Sequence, residues 1–399
     1  MPGAVPTMPG VRAPHEMAQQ YRREVARLIG RGENPSFPGA QPVSFARRHL
    51  EELKKEDYYV CEKSDGIRCL MYFAEGDRGQ EIHYLIDRRN DYYYVPELHF
   101  PAPNDPTFQK FHIDTLIDGE LVLDEEPHGN VLRYLVFDCL VLDGNPLMHR
   151  TLDKRLAYFR EYVYNPYVKL CDAFPQEVPY FPFLIEFKPM EFSYAIGKMF
   201  NDVLPNLKHG NDGLIFTCRN SAYKFGTDEK ILKWKPASEN SIDFRLNLHF
   251  PIYEPDSSDE DPDDDEDHEP CYDWDAMPEF ALSVFEGGRQ YIPFATMYMT
   301  EKEWEDMKAL QIPLDDRIVE CAMDEEKRWR FLRFREDKKD GNHISVVGSV
   351  LESIRDGVGE KDLLREAMEI RAAWKRRMLE VPPAVVRQAP PQGQQQARH

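Results

Sequence analysis

No stretch of this chain approaches the ~18 to 20 consecutive apolar residues that a membrane span needs, and Met1 to Pro14 lacks the apolar core of a secretion signal. Both absences predict a soluble, intracellular protein without a membrane partner. Cysteine is sparse: there are 7, with no C-x-x-C pair and no His/Cys ligand spacing. That points to reduced thiols rather than a disulfide framework or a zinc site. Positive charge is also in deficit, 50 Lys and Arg against 71 Asp and Glu, for a formal net charge of -21. Such a balance argues against a uniformly basic, phosphate-binding surface. The average is misleading, however, because eleven acids fall within Glu254 to Glu269, EPDSSDEDPDDDEDHE. A self-repelling run with prolines and no apolar residue is predicted to be a solvated insert. The remainder is only mildly acidic, which leaves room for a local basic cleft.

What is present is strand character. From Tyr58 to Asp143, the runs YYVCEK, IRCLMYF, EIHYLID, TLIDGELVL and VLRYLVFDCLVL are separated by Gly-, Asp- and Asn-containing turns. This pattern predicts a meander of antiparallel strands. Helical spacing follows in Thr151 to Tyr164 and in Glu191 to Leu204, and strands return at Gly213 to Cys218 and Lys230 to Trp234. Beyond Asp243, short strands with few helices suit a small barrel of the oligonucleotide-binding (OB) type. The stretch from Ser349 to Leu379 turns helical, and Pro382 to His399 is a Pro- and Gln-rich tail. The expected class is α+β, with a large first domain over 1–242, an OB-fold domain over 243–348 carrying the insert 254–269, a helical segment over 349–380 and a disordered tail over 381–399.

Chemistry is suggested first by Glu62-Lys63-Ser64-Asp65-Gly66-Ile67-Arg68. An ordinary lysine, with a pKa near 10.4, is neutral in about one molecule of two thousand at pH 7. A lysine nucleophile therefore needs nearby cations or desolvation to lower that pKa. Alone, the motif reads first as a hairpin turn beside a surface lysine. Others follow in order. Glu120, in Asp118-Gly119-Glu120, could bind a ribose hydroxyl or a metal. Phe137 is either core or a base-stacking platform. Asp212 could hold Mg²⁺, a hard cation that prefers oxygen ligands. Lys233 and Lys235, two apart in a strand, project from one face and can meet one phosphate. Arg333, Arg335, Asp337 and Lys338 form a cluster that reaches a polyphosphate only if the barrel closes as a lid.

Taken in order, K-S-D-G-I-R, I-D-G-E-L-V, Y-L-V-F-D-C-L, D-G-L-I-F, L-K-W-K-P with I-D-F, and R-F-R-E-D-K resemble the covalent nucleotidyltransferases, which include mRNA capping enzymes and ATP-dependent polynucleotide ligases. The resemblance spans Tyr58 to His343. Leu232 to Phe244 and Phe331 to His343 look like the fungal alpha-subunit type of mRNA guanylyltransferase. The resemblance implies a nucleotidyltransferase first domain in which Lys63 attacks the α-phosphate of GTP and forms a lysyl-GMP intermediate. The GMP then passes to the 5′-diphosphate end of nascent RNA. It implies that Arg68 and Glu120 bind ribose, that Phe137 stacks on guanine, and that Lys233 and Lys235 hold the α-phosphate. Asp212 and Asp243 would act near metal (Mg²⁺ or Mn²⁺) and phosphates, and Arg335 and Lys338 would contact the β- and γ-phosphates. Lys208 is a candidate donor to guanine. No H-C-x₅-R phosphatase signature occurs, so a separate triphosphatase (beta) subunit is expected, together with the phosphorylated C-terminal tail of RNA polymerase II and a nuclear location. An ATP-dependent ligase and a non-catalytic RNA-binding scaffold remain the alternative readings.

Overall fold

The computed structural model describes residues 6–32, 36–236, 240–252, 271–324 and 326–380. The acidic insert and the tail therefore lie outside the described residues. Strands alternating between two burial environments explain the first sheet. Along Ile67–Glu75, Cys69, Met71 and Phe73 enter one apolar cluster, while Leu70, Tyr72 and Ala74 enter another on the opposite face. A strand buried on both sides needs cover on both sides. One cover is the helix His15–Leu28, whose Ala18, Tyr21 and Val25 meet Tyr72, Tyr84 and Tyr92. The other is the helical run from Leu152 to Ala173, which widens to a π-type turn over Phe159–Tyr164 and buries Phe159, Val163 and Tyr167. The order across this sheet is Val11–Arg12, Tyr92–Val95, Glu81–Ile86, Ile67–Glu75, Thr115–Glu126, Gly129–Leu142 and Leu184–Phe187, with Asn145–Pro146 paired to the side of Gly129–Leu142.

A second sheet runs Glu191–Phe192, Tyr58–Ser64, Asn211–Cys218, Gly226–Trp234 and Ala40–Ser44. Its apolar face, with Tyr58, Val60, Leu214, Phe216, Leu232 and Trp234, packs on Leu50, Leu53, Ile196 and Met199. Two pairings are parallel, Leu184–Phe187 with Arg133 to Val136 and Ala40–Ser44 with Gly226 to Lys233. The strands expected between Tyr58 and Asp143 pair antiparallel with one another, except that Tyr58–Ser64 leaves them for the second sheet; each parallel pair brings in a strand outside that stretch, which the sequence pattern does not predict. Parallel neighbours need long crossovers, which leave no local turn signal. The helices His15–Leu28, Arg48–Lys55 and Glu301–Lys308 add to the elements expected from sequence, and the stretch after Glu191 forms irregular helical turns from Ser193 to Asn206 rather than one helix.

The third sheet has the order Gln290–Thr296, Glu279–Gly287, Ser241–His249, Arg317–Met323 and Trp329–Phe334. Its two edges meet: Met297 bridges Trp329 in parallel, and the Tyr298 N–H donates to the Trp329 carbonyl at 2.8 Å. A five-stranded sheet closed in this order is the OB barrel. The helix Glu301–Lys308, started by a Thr300/Glu303 capping box, contributes Trp304 and Met307 to the barrel's core.

After the barrel the chain returns to the second sheet. The helix Ile344–Asp356 ends at Gly357, in the left-handed region at φ 55°. The helix Glu360–Glu380 then buries Leu363 and Ile370 against the second sheet's core. Polar bonds fix the return: Trp234 Nε1 donates to the Val358 carbonyl at 2.8 Å, Ser353 Oγ to the Phe45 carbonyl at 3.1 Å, and Arg377 pairs with Asp57 at 2.6 Å.

Candidate active site

Tyr58–Ser64 belongs to the second sheet and Ile67–Glu75 to the first, so Ser64-Asp65-Gly66 crosses the seam between them. Only glycine fits at the crossing, since a Cβ on Gly66 would lie 2.2 Å from the Leu121 carbonyl oxygen. Lys63 and Arg68 thereby stand on the two sides of one cleft. The register of Asn211–Cys218 against Tyr58–Ser64 shifts between Asn211 and Leu214, placing Asp212 and Gly213 opposite Lys63. That bulge brings the carboxylate to the amine: Lys63 Nζ donates to Asp212 Oδ1 at 2.6 Å, and Lys235 Nζ approaches Asp212 Oδ2 at 2.5 Å. Burial works against ionisation of Asp212, but Lys63 and Lys235 outweigh it and hold its pKa below the ordinary value. Lys233, half-buried beside them, has its pKa pushed down to about 8, chiefly by burial and then by Lys235, Lys63 and Arg88.

On the other side, Arg68 is held in a fork by Asp118, Nε to Oδ1 at 3.1 Å and a terminal nitrogen to Oδ2 at 2.7 Å. The Tyr223 hydroxyl donates to the same carboxylate at 2.7 Å. The Arg68 guanidinium lies over the Phe137 ring, 5.4 Å from its centre. Glu120 Oε1 accepts the Gly66 N–H at 3.2 Å, and burial raises the Glu120 pKa against the opposing pull of Lys188, Lys63, Arg88 and Arg68.

The barrel supplies the facing wall. Arg335 reaches Asp243 at 2.9 Å, Lys338 pairs with the other Asp243 oxygen, and Asp337 binds Arg335 through two bonds of 2.9 and 2.8 Å. Arg333 donates to Glu320 at 2.7 Å and is otherwise exposed. Together the walls enclose a cleft of about 640 Å³ lined by Lys63, Arg68, Glu120, Lys233, Lys235, Asp243, Arg335 and Lys338, among others. Nine of its lining side chains are Lys or Arg and five are Asp or Glu, so a basic cleft exists inside an acidic protein. Phe137 and Asp212 are not among the lining residues but touch them, one against Arg68 and the other against Lys63 and Lys235.

Lys208 is the exception. Its ammonium pairs with Glu126 at 3.1 Å, largely exposed. Glu126 lies six residues beyond Glu120 on one strand, roughly 20 Å at ~3.3 Å per residue, so Lys208 is not brought into the cleft. Other residues beside the cleft carry no signal in the sequence. Lys188 is buried with its Nζ 2.6 Å from Ser64 Oγ and 3.0 Å from Glu62. His209 bridges Glu62 and Asp124 at 3.6 and 2.7 Å, and those carboxylates overcome its burial to raise its pKa to about 9. This cluster fixes the strand behind Lys63. Arg88, in the cleft lining, has no hydrogen-bond or ion-pair partner recorded among the described residues. Its pKa is lowered by desolvation and then by Arg68. Asp87-Arg88-Arg89-Asn90 carries no sign in sequence beyond that of an ordinary turn.

A lysine amine sharing a carboxylate with a second lysine, in a cationic cleft between a two-sheet domain and an OB barrel, suits a nucleotidyltransferase. Family models for the mRNA capping enzyme match in tandem, the catalytic domain over residues 5–237 and the C-terminal domain over 239–364. The mRNA-capping enzyme subunit alpha of Neurospora crassa is 52% identical over 92% of this chain and 93% of its own length. Its Schizosaccharomyces pombe counterpart is 49% identical over 93% and 89%, and that of Saccharomyces cerevisiae 38% identical over 98% and 91%. The chain belongs to the mRNA capping enzyme family, and its activity is that of a guanylyltransferase. A role in mRNA processing follows from that membership.

Proposed function

We propose that Lys63 is the nucleophile of a two-step guanylyl transfer, a reading carried by the Lys63–Asp212–Lys235 arrangement on the cleft floor. In the first step the neutral amine's lone pair bonds to the α-phosphorus of GTP. The bond from that phosphorus to the bridging oxygen breaks, pyrophosphate leaves with the electron pair, and the nitrogen gives up one proton to solvent as the phosphoramidate forms. In the second, a terminal oxygen of the 5′-diphosphate RNA attacks the same phosphorus. The phosphorus–nitrogen bond breaks, and the Lys63 nitrogen regains its electron pair and takes up a proton. Such transfers depend on positioning and charge neutralisation. Lys233 and Lys235 face the α-phosphate and Asp243 orients the barrel's cations. Arg335 and Lys338 draw on the β- and γ-phosphates when the lid is closed, favouring departure of pyrophosphate.

Arg68 and Glu120, fixed by Asp118 and the Gly66 N–H, hold the ribose, and Phe137 offers its ring to guanine. Guanine selection is not assigned to Lys208. Among the described residues no group of three or more His, Cys, Asp or Glu is placed to hold a metal ion. This suits Mg²⁺ or Mn²⁺ held mainly by substrate phosphates and one or two carboxylates, with Asp212 and Glu120 as the nearby oxygen donors. The metal would neutralise charge on the phosphates. The domain division at 242/243 and 348/349 is part of the same reading. So are a beta triphosphatase subunit, suggested by the relatives' designation as alpha subunits, the phosphorylated polymerase tail as docking partner, and a nuclear site of action.

The test is direct. With labelled GTP and a divalent metal, label should stay on the protein through denaturation and be absent from Lys63→Ala. Label from ATP alone would return the chain to the ligase reading, and none from either nucleotide would return it to the scaffold.

A further inference from the structure

The turn Asp87 to Asp91 is built to be rigid. Asp87 Oδ1 accepts the N–H groups of Arg89 and Asp91 at 2.9 and 2.8 Å. The main chain closes on itself from Asp87 to Asp91 at 3.0 Å and from Asn90 to Asp87 at 2.9 Å. Arg22 holds the Asn90 carbonyl from outside at 2.9 Å. This post presents consecutive arginines in two ways. Both line the cleft, and Arg89 also reaches across its mouth and donates to the Asp337 carbonyl of the barrel at 2.6 Å. Asp337 is the residue whose carboxylate grips Arg335, and the Lys338 N–H donates to the Arg335 carbonyl at 3.1 Å.

We propose that Arg89 is a positioning residue that latches the barrel shut and sets the Arg335–Lys338 loop against the leaving pyrophosphate. The inference rests on the guanylyltransferase reading and assigns Arg89 no contact with the nucleotide. Its acceptor is a backbone oxygen, so the latch recognises the loop's position rather than a particular side chain. The energy at stake is that of one charge-assisted hydrogen bond in a partly exposed setting. It is spent only in the closed state, and therefore only in the step that expels pyrophosphate or its reversal.

Arg89→Ala and Arg89→Lys separate this role from a structural one. Three rates are measured: lysyl-GMP formation at saturating GTP, its reversal by pyrophosphate, and GMP transfer to diphosphate-ended RNA from adduct freed of GTP. For Arg89→Ala the first two should fall together by about five-fold while transfer holds, with partial recovery in Arg89→Lys. Retained transfer also certifies that the variant is folded. Adduct formation at the wild-type rate, or an equal loss in formation and transfer, would overturn the latch. Failure of the wild type to form an adduct would instead remove the reading on which it rests.

Discussion

The two walls of the cleft hold their charges differently. On the wall made by the first two sheets, the cations rise from strand interiors that the core has already fixed: Lys63 beside a bulge, Lys233 and Lys235 on one face of Gly226–Trp234 and its continuation, Arg68 forked by a buried Asp118. There the cations outnumber their acidic partners, and Lys233 is driven toward neutrality. On the barrel wall, Arg335, Lys338 and Arg333 are each sheathed by acids of their own domain, Asp243, Asp337 and Glu320. One wall is a fixed seat short of negative charge. The other is neutralised by acids of its own domain, partners that phosphate would replace in the proposed reaction.

The largest test of that contrast is Arg335→Ala. It should abolish lysyl-GMP formation yet leave GMP transfer from a ready-made adduct; equal loss in both assays would put the barrel wall in the fixed seat. A stability comparison comes next. Arg155 and Asp138 form a bidentate pair buried beneath the first wall, so Arg155→Ala should lower unfolding free energy by about 3–5 kcal/mol in urea titrations. Arg245→Ala, which breaks the exposed Arg245–Asp316 pair on the barrel, should cost under ~1 kcal/mol. Similar midpoints for the two would erase the distinction. The subtlest is pH. With the pKa of Lys233 at about 8 in the free protein, its charge is present below that value and lost above it. Its support for the α-phosphate should fade accordingly, giving kcat/KM for GTP a descending limb through about pH 8. Lys233→Arg should remove the limb, and a limb unchanged in that variant would assign it elsewhere.

Much of this arrangement was readable in advance. Lys63, Gly66 and Arg68 are local in sequence, and Lys233 and Lys235 advertise their shared face through strand periodicity. The barrel's strands carry alternating apolar residues that its core uses. What escaped depends on contacts between distant segments. Lys188 looks like an ordinary lysine after a short strand until Glu62 and Ser64 enclose it. Arg68 gives no hint of its fork, because Asp118 sits fifty residues away on a neighbouring strand. The helix His15–Leu28 lacks a side-chain cap and is held by tertiary packing onto tyrosines of the first sheet. Lys208 shows the converse. Its proximity to Asp212 along the chain suggested a shared site, whereas the strand carrying its partner Glu126 had already left the cleft.

The return of the chain after the barrel gives the lid an unusual suspension. The strand that carries Lys233 leads into the barrel from Trp234, and the outgoing chain passes back at Val358, hydrogen-bonded to that same indole. Both stems of the barrel are therefore gathered at one point of the first domain, and the helix Glu360–Glu380 anchors the second stem. A body held by two strings at one place can swing but cannot drift. If the barrel opens and closes over the cleft as proposed, each reopening would begin the next search for closure from a narrow arc, at a local concentration set by the stems rather than by diffusion.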